Sequence, residues 1–190
     1  MTARKIAKLA LLAALSVLFV YISFPIFPAV SWLRYDAADI PILIGGFLFG
    51  PLAGLLLTVI AAVIQGVTIA AGENWIGIVM HIFATSALVG TASTVYRFVR
   101  TRKGAIVGLI AGCLAMTAVM IPLNYIFTPI LYGATTEAVT ALLPWIVLFN
   151  FTKSVINSAV TFVVYKGVGK LFREELGERK KVRAEKENLS

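Results

Sequence analysis

The stretch PWIVLFNFTKSVINSAVTFVVY, residues 144–165, decides how the chain is read. Its length and apolar content suit a helix that crosses a membrane, yet Asn150, Lys153 and Asn157 sit in its middle. At about 100° per residue, spacings of three and seven return these side chains to one helical stripe, which Ser154 and Thr161 flank. A lysine near the bilayer centre costs about 3 kcal/mol on insertion scales, so the stripe is expected to face a protein interior or a watery cavity. Snorkelling is disfavoured because apolar sequence extends about two turns on either side. Pairing with a carboxylate is disfavoured by the scarcity of acids in the apolar segments. Lys153 is therefore expected to point inward, at a pathway or binding site.

The composition agrees. Of 190 residues 59% are hydrophobic and 14% charged, against about 25% charged in soluble proteins, and the mean hydropathy is +0.92. The chain is read as an all-α integral protein of the cell membrane, crossing it several times. The net charge of +8 would suggest nucleic acid in a soluble protein, but its placement at the ends of apolar segments argues for no nucleic acid partner. One histidine, His81, and one cysteine, Cys113, give too few groups for a zinc site, a disulfide framework or a Ser/His/Asp triad. No catalytic residue, metal ligand or cofactor is expected. The N-terminal Arg4, Lys5 and Lys8 followed by an apolar run resemble a signal peptide, but the run is too long and lacks a small-residue cleavage site.

Six transmembrane helices are expected, at residues 6–24, 40–49, 51–71, 75–96, 105–127 and 144–165. FGPLAG reads as a turn between the second and third, because glycine suits the end of one helix and proline the start of the next. One kinked helix over 40–63 is the alternative. Pro25, Pro28 and Pro41, with Arg34, Asp36 and Asp39, make the first connection an irregular loop. Residues 129–141 read as another loop. Residues 1–170 form the transmembrane substrate-binding domain, and 171–190 a charged cytoplasmic tail.

The N-terminus, RFVRTRKG and the tail hold all but Arg34 and Lys153 of the seventeen Lys and Arg residues. An even number of spans puts these segments on one side, and the excess of basic residues makes that side, with both termini, cytoplasmic. The external side then gathers Arg34, Tyr35, Asp36, Asp39, Asn74, Asn124, Tyr125, Asn150, Lys153 and Asn157, with Trp32, Trp75, Phe27, Phe127 and Trp145 as flat apolar walls. Such a pocket suits a planar polar organic molecule better than an inorganic ion. On the first helix, Ala3, Ala7, Ala10 and Ala14 have small-xxx-small spacing, and Ala10 and Ala14 form the smoother patch. It suits close packing, inside the chain or against a partner. No GxxxxGK[ST] loop occurs, so ATP is not hydrolysed here by that route.

LRYDAADIPILIGGFLFGPLAG (33–54), Asn124–Tyr125 as NY, and FNFTKSVINS (149–158) together resemble the riboflavin-specific S component of energy-coupling factor (ECF) vitamin transporters. The resemblance implies the six-helix S-component fold and a first external loop that covers riboflavin. The ligand would lie between that loop and the external halves of spans four to six. It carries an Asn and Lys pair onto Asn150 and Lys153, and a fifth-span Asn onto Asn124. It matches acidic loop positions with Asp36 and Asp39, and places a docking patch at Ala10 and Ala14. It also implies partners: a transmembrane coupling subunit and two ATPase subunits. An S component for another vitamin such as thiamine is the nearest alternative. A small membrane enzyme, with Asp36 and Asp39 on a divalent cation, is a distant one.

Overall fold

A computed structural model describes residues 3–68 and 74–187. Six helices follow in order: α1 (Ala3–Val20), α2 (Asp39–Phe49), α3 (Pro51–Thr68), α4 (Asn74–Phe98), α5 (Arg102–Tyr132) and α6 (Thr136–Glu187). Between α1 and α2 lies a small hairpin, β1 (Phe24–Pro25) antiparallel to β2 (Arg34–Tyr35), which encloses a single 3-10 turn at Pro28–Val30. A purely helical expectation missed this hairpin. Two-residue strands are too short to show alternation.

The FGPLAG turn forms as expected. Gly50 adopts φ 96°, a conformation open to glycine, and its N–H closes α2 on the Gly46 carbonyl, after which Pro51 starts α3. Elsewhere the boundaries shift. α1 stops at Val20 rather than at residue 24, because the chain there turns into the hairpin. The expected loop over 129–141 shrinks to three residues between Tyr132 and Thr136. Pro129 stays inside α5, and Gly133 at φ 63° closes that helix by donating its N–H to the Pro129 carbonyl. The Thr135 hydroxyl accepts from the Ala138 N–H, so α6 begins well before Pro144, and fully buried Val139 anchors its first turns. At its far end α6 continues through most of 171–190.

Among the described residues, α3, α4, α5 and α6 contain stretches long and apolar enough to cross a membrane. α1 has 18 residues but includes Arg4, Lys5 and Lys8. α2 has only 11, about 16 Å of helix, which is half of a hydrocarbon core. It is central instead: every residue from Asp39 to Phe47 is buried, and α1, α3, α4 and α6 all pack on it. It can be short because the chain before it descends into the bundle. Asp39, its first residue, meets Thr85 and Asn157, well inside α4 and α6.

Polarity is inverted relative to a soluble bundle. Leu52, Val59, Ile64, Ile106, Ile110, Leu114 and Val163 are exposed, whereas Asn124, Asn150, Lys153, Asn157 and Thr161 are buried. That distribution belongs to a protein whose surface meets hydrocarbon and whose interior carries its polar chemistry.

Candidate functional site

The stripe on α6 faces the interior, as helical spacing requires. It does not find Lys153 alone. Lys153 Nζ lies 2.8 Å from Asp36 Oδ2, and both residues are buried. This corrects the expectation that pairing with a carboxylate is disfavoured: the acid comes from the loop, which the hairpin and the short α2 carry down to the lysine. Burial works to raise the Asp36 pKa, but the Lys153 ammonium and the Ala38 N–H, which donates to Oδ1, outweigh it and hold it below the ordinary carboxylate range.

Asn157 fixes the same loop. Its Nδ2 donates to the Asp36 carbonyl at 3.1 Å and to Asp39 Oδ2 at 3.0 Å, and its Oδ1 accepts from the Tyr35 hydroxyl at 3.0 Å. Thr85 Oγ1 donates to Asp39 Oδ1 at 2.8 Å, and Ser16 Oγ to the Ala38 carbonyl at 2.8 Å. Helices α1, α4 and α6 thereby hold residues 35–39 from three sides. With both carboxylates engaged this way, the divalent-cation reading of Asp36 and Asp39 loses its ligands. The described residues contain no group of three or more His, Cys, Asp or Glu placed to hold a metal.

Beside this latch is a cavity of about 490 Å³, within the ~300–1,000 Å³ usual for small-molecule sites. One wall, from α5 and α6, presents Asn124, Thr128, Asn150 and Lys153. The rest of the helical lining, from α3 and α4, presents Gln65, His81 and Thr85 among Ala62, Gly66, Ile78 and Met80. Trp32, Arg34 and Asp36 come from the hairpin. Asn124 donates to the Met120 carbonyl at 2.8 Å and accepts from Thr128 Oγ1 at 3.0 Å, while Asn150 donates to the Ile146 carbonyl at 2.8 Å. Each amide is thus fixed by its own helix and keeps a second N–H for another acceptor.

Of the eight binding residues expected from sequence, Asp36, Asn124, Asn150 and Lys153 line the cavity. Tyr35, Asp39 and Asn157 stand behind it as the latch. Tyr125 points away, its hydroxyl 3.1 Å from Thr140 Oγ1 on the exposed side. The aromatic walls are also different. Trp32 lines the cavity together with Tyr132 and Phe149, whereas Trp75 packs edge-on against Phe127 and Trp145 lies near Phe27, both tryptophans substantially exposed. The Asn74 side chain lies outside the described residues. Gln65, His81 and Thr85 were not expected. A signal existed, since His81 and Thr85 stand one turn apart on an apolar helix and Gln65 is an amide in the last turn of another. On α1, Ala3, Ala7, Ala10 and Ala14 are all exposed, so the alanine face does not pack inside this chain.

A membrane-embedded bundle with an open-sided cavity, lined by amides and a lysine among apolar side chains beside a pinned loop, suits a binding subunit for a small organic molecule. The chain belongs to the family of ECF transporter substrate-specific components, whose model matches residues 4–165. It is similar to the riboflavin transporter RibU of Streptococcus thermophilus, 28% identical over 171 residues that cover 85% of this chain and 81% of that one. It is also similar to the riboflavin transporter FmnP of Bacillus subtilis, 26% identical over 182 residues, covering 87% and 92%. RibU of Staphylococcus aureus is 25% identical over 170 residues, covering 86% and 89%. A solved S component of a bacterial ECF transporter superposes with a TM-score of 0.78 at 27% identity, over 89% of this chain and 97% of that one. The chain is accordingly a multi-pass membrane protein with the S-component fold.

Proposed function

We propose that this chain is the riboflavin-binding subunit of an ECF-type importer, capturing the vitamin from outside and passing it inward through its partners. The observation that carries this reading is the donor-rich wall of Asn124, Asn150 and Lys153 facing a cavity of flavin-compatible size, in a chain whose relatives are riboflavin transporters. Isoalloxazine offers flat faces for Trp32, Met80 and Phe149 and an edge of carbonyls and ring nitrogens. The ribityl chain offers a row of hydroxyls. Asn124, Asn150 and Lys153 contact the ligand, with Asp36 beside them. Tyr35, Asp39 and Asn157 act through the loop they hold, and Tyr125 has no part in the site. The chain is a binding subunit and not an enzyme. Both termini face the cytoplasm, residues 1–170 form the binding domain, and 171–190 are its charged cytoplasmic tail.

The purified protein is expected to carry yellow flavin absorption, or to quench the fluorescence of added riboflavin at micromolar concentration. Absence of both, or tighter binding of thiamine, would sink this reading. Transport needs a coupling subunit and two ATPase subunits, and the exposed Ala10 and Ala14 are assigned as the docking face because small side chains let another helix approach closely. Ala10→Trp should lower cellular riboflavin uptake by roughly tenfold while leaving binding by the purified subunit unchanged. Loss of binding as well would place these alanines in the fold of the subunit itself.

A further inference from the structure

Helix α3 contributes to the cavity lining an amide whose donor nothing among the described residues satisfies. Gln65 is 7% exposed and lines the cavity, and its Nε2 is shielded from solvent with no hydrogen-bond partner among the described residues. Buried amides are normally paired, because an unpaired donor has lost its water without replacement. Asn124, Asn150 and Asn157 obey that rule: each Nδ2 donates to an acceptor within the chain. Gln65 is the exception, and it lines the cavity from α3, a different helix from those that carry Asn124 and Asn150. Helix α3 packs on α1, α2 and α4, while the Asn and Lys wall belongs to α5 and α6.

We propose that Gln65 is a specificity-determining residue whose side-chain amide, tucked away from the empty cavity, turns into it on binding and donates to an acceptor on the ring of the bound ligand, a carbonyl oxygen or an unprotonated ring nitrogen. This rests on the riboflavin reading above. The surroundings select the ring over the ribityl chain. Gly66 and Ile78, which line the cavity beside Gln65, are apolar and suit one face of a fused ring, with a polar contact at its edge. A row of hydroxyls needs several donors and acceptors in sequence, and these lie on the α5 and α6 wall. With a donor on α3 as well, the ring is held in one orientation, and an analogue lacking the acceptor leaves the Gln65 donor buried and unpaired.

Riboflavin and lumiflavin, which keeps the ring but replaces the ribityl chain with a methyl group, are titrated against the wild-type protein and Gln65→Met by fluorescence quenching. Methionine keeps the unbranched shape and removes the donor. The expected result is a loss of roughly tenfold in affinity for both ligands. The melting temperature of ligand-free Gln65→Met should equal or exceed that of the wild type, because the substitution removes an unpaired buried donor. Unchanged riboflavin affinity, a loss confined to riboflavin, or a lowered melting temperature of the ligand-free variant each overturns the assignment. Failure of the wild type to bind riboflavin overturns the riboflavin reading and this assignment with it, whereas wild-type binding that Gln65→Met retains overturns this assignment alone.

Discussion

Lys153→Met should destabilise the ligand-free protein by about 3–5 kcal/mol, the range for removing one partner of a buried ion pair. Methionine keeps most of the lysine's apolar stem, so packing loss is small and the cost comes from the carboxylate left behind. Asp36 is 8% exposed and would retain only the Ala38 N–H on its side chain. Protonation of the stranded Asp36 limits the cost, which gives the effect a pH dependence of known sign. In the parent the lowered Asp36 pKa contributes stability that is present above the ordinary carboxylate range and is lost as pH falls through the lowered value. The two proteins should therefore converge in melting temperature under acid and diverge near neutrality. Adding Asp36→Asn should recover most of the stability, since removing both charges removes the desolvation burden together with the attraction. Riboflavin affinity should not recover. An ammonium has three donors, of which Asp36 takes one, and the rest are available to the ligand. Both variants should bind at least roughly tenfold more weakly than the parent by fluorescence titration. A single variant that melts like the parent would show that the pair contributes nothing. A double variant that binds like the parent would reduce Lys153 to a structural residue.

The architecture was largely legible because it rests on composition and period. Six apolar segments, the glycine and proline at residues 50 and 51 and the stripe on α6 are local facts that the fold reproduces. The partner of Lys153 was not legible. Counting acids within the spans missed Asp36, because that residue belongs to a loop that enters the bundle. The descent is fixed by Ser16, Thr85 and Asn157, which are scattered along the chain and carry no pattern marking them as loop anchors. The same limit explains Tyr125. Its neighbour Asn124 faces inward, and one residue further round the helix, by about 100°, a side chain leaves the cavity. Gln65 was missed for the opposite reason: a lone amide in an apolar span gains meaning only once the cavity beside it is seen.

Asn157→Leu should speed riboflavin release by about a hundredfold while changing association little. Asn157 is fully buried, has the same number and branching of side-chain heavy atoms as leucine, and does not line the cavity. Its three hydrogen bonds go to Tyr35, Asp36 and Asp39, all in or next to the loop. At about 1 kcal/mol for each net bond, their loss weakens the closed loop by about 3 kcal/mol, which corresponds to roughly a hundredfold in equilibrium. The closed form is the one that completes the cavity, because Trp32, Arg34 and Asp36 supply part of its lining. Affinity therefore falls with the fraction of molecules in which the loop is closed. Association is spared because it starts from the open form, so the change falls on dissociation, measured by stopped-flow fluorescence. Tyr35→Phe removes one of the three bonds and should give about a fivefold effect in the same direction. A lowered melting temperature with an unchanged dissociation rate would mean that Asn157 holds the fold and not the ligand. A graded response, small for Tyr35→Phe and large for Asn157→Leu, would identify residues 35–39 as the gate and α6 as the element that carries both its latch and, one turn away, the lysine that meets the ligand.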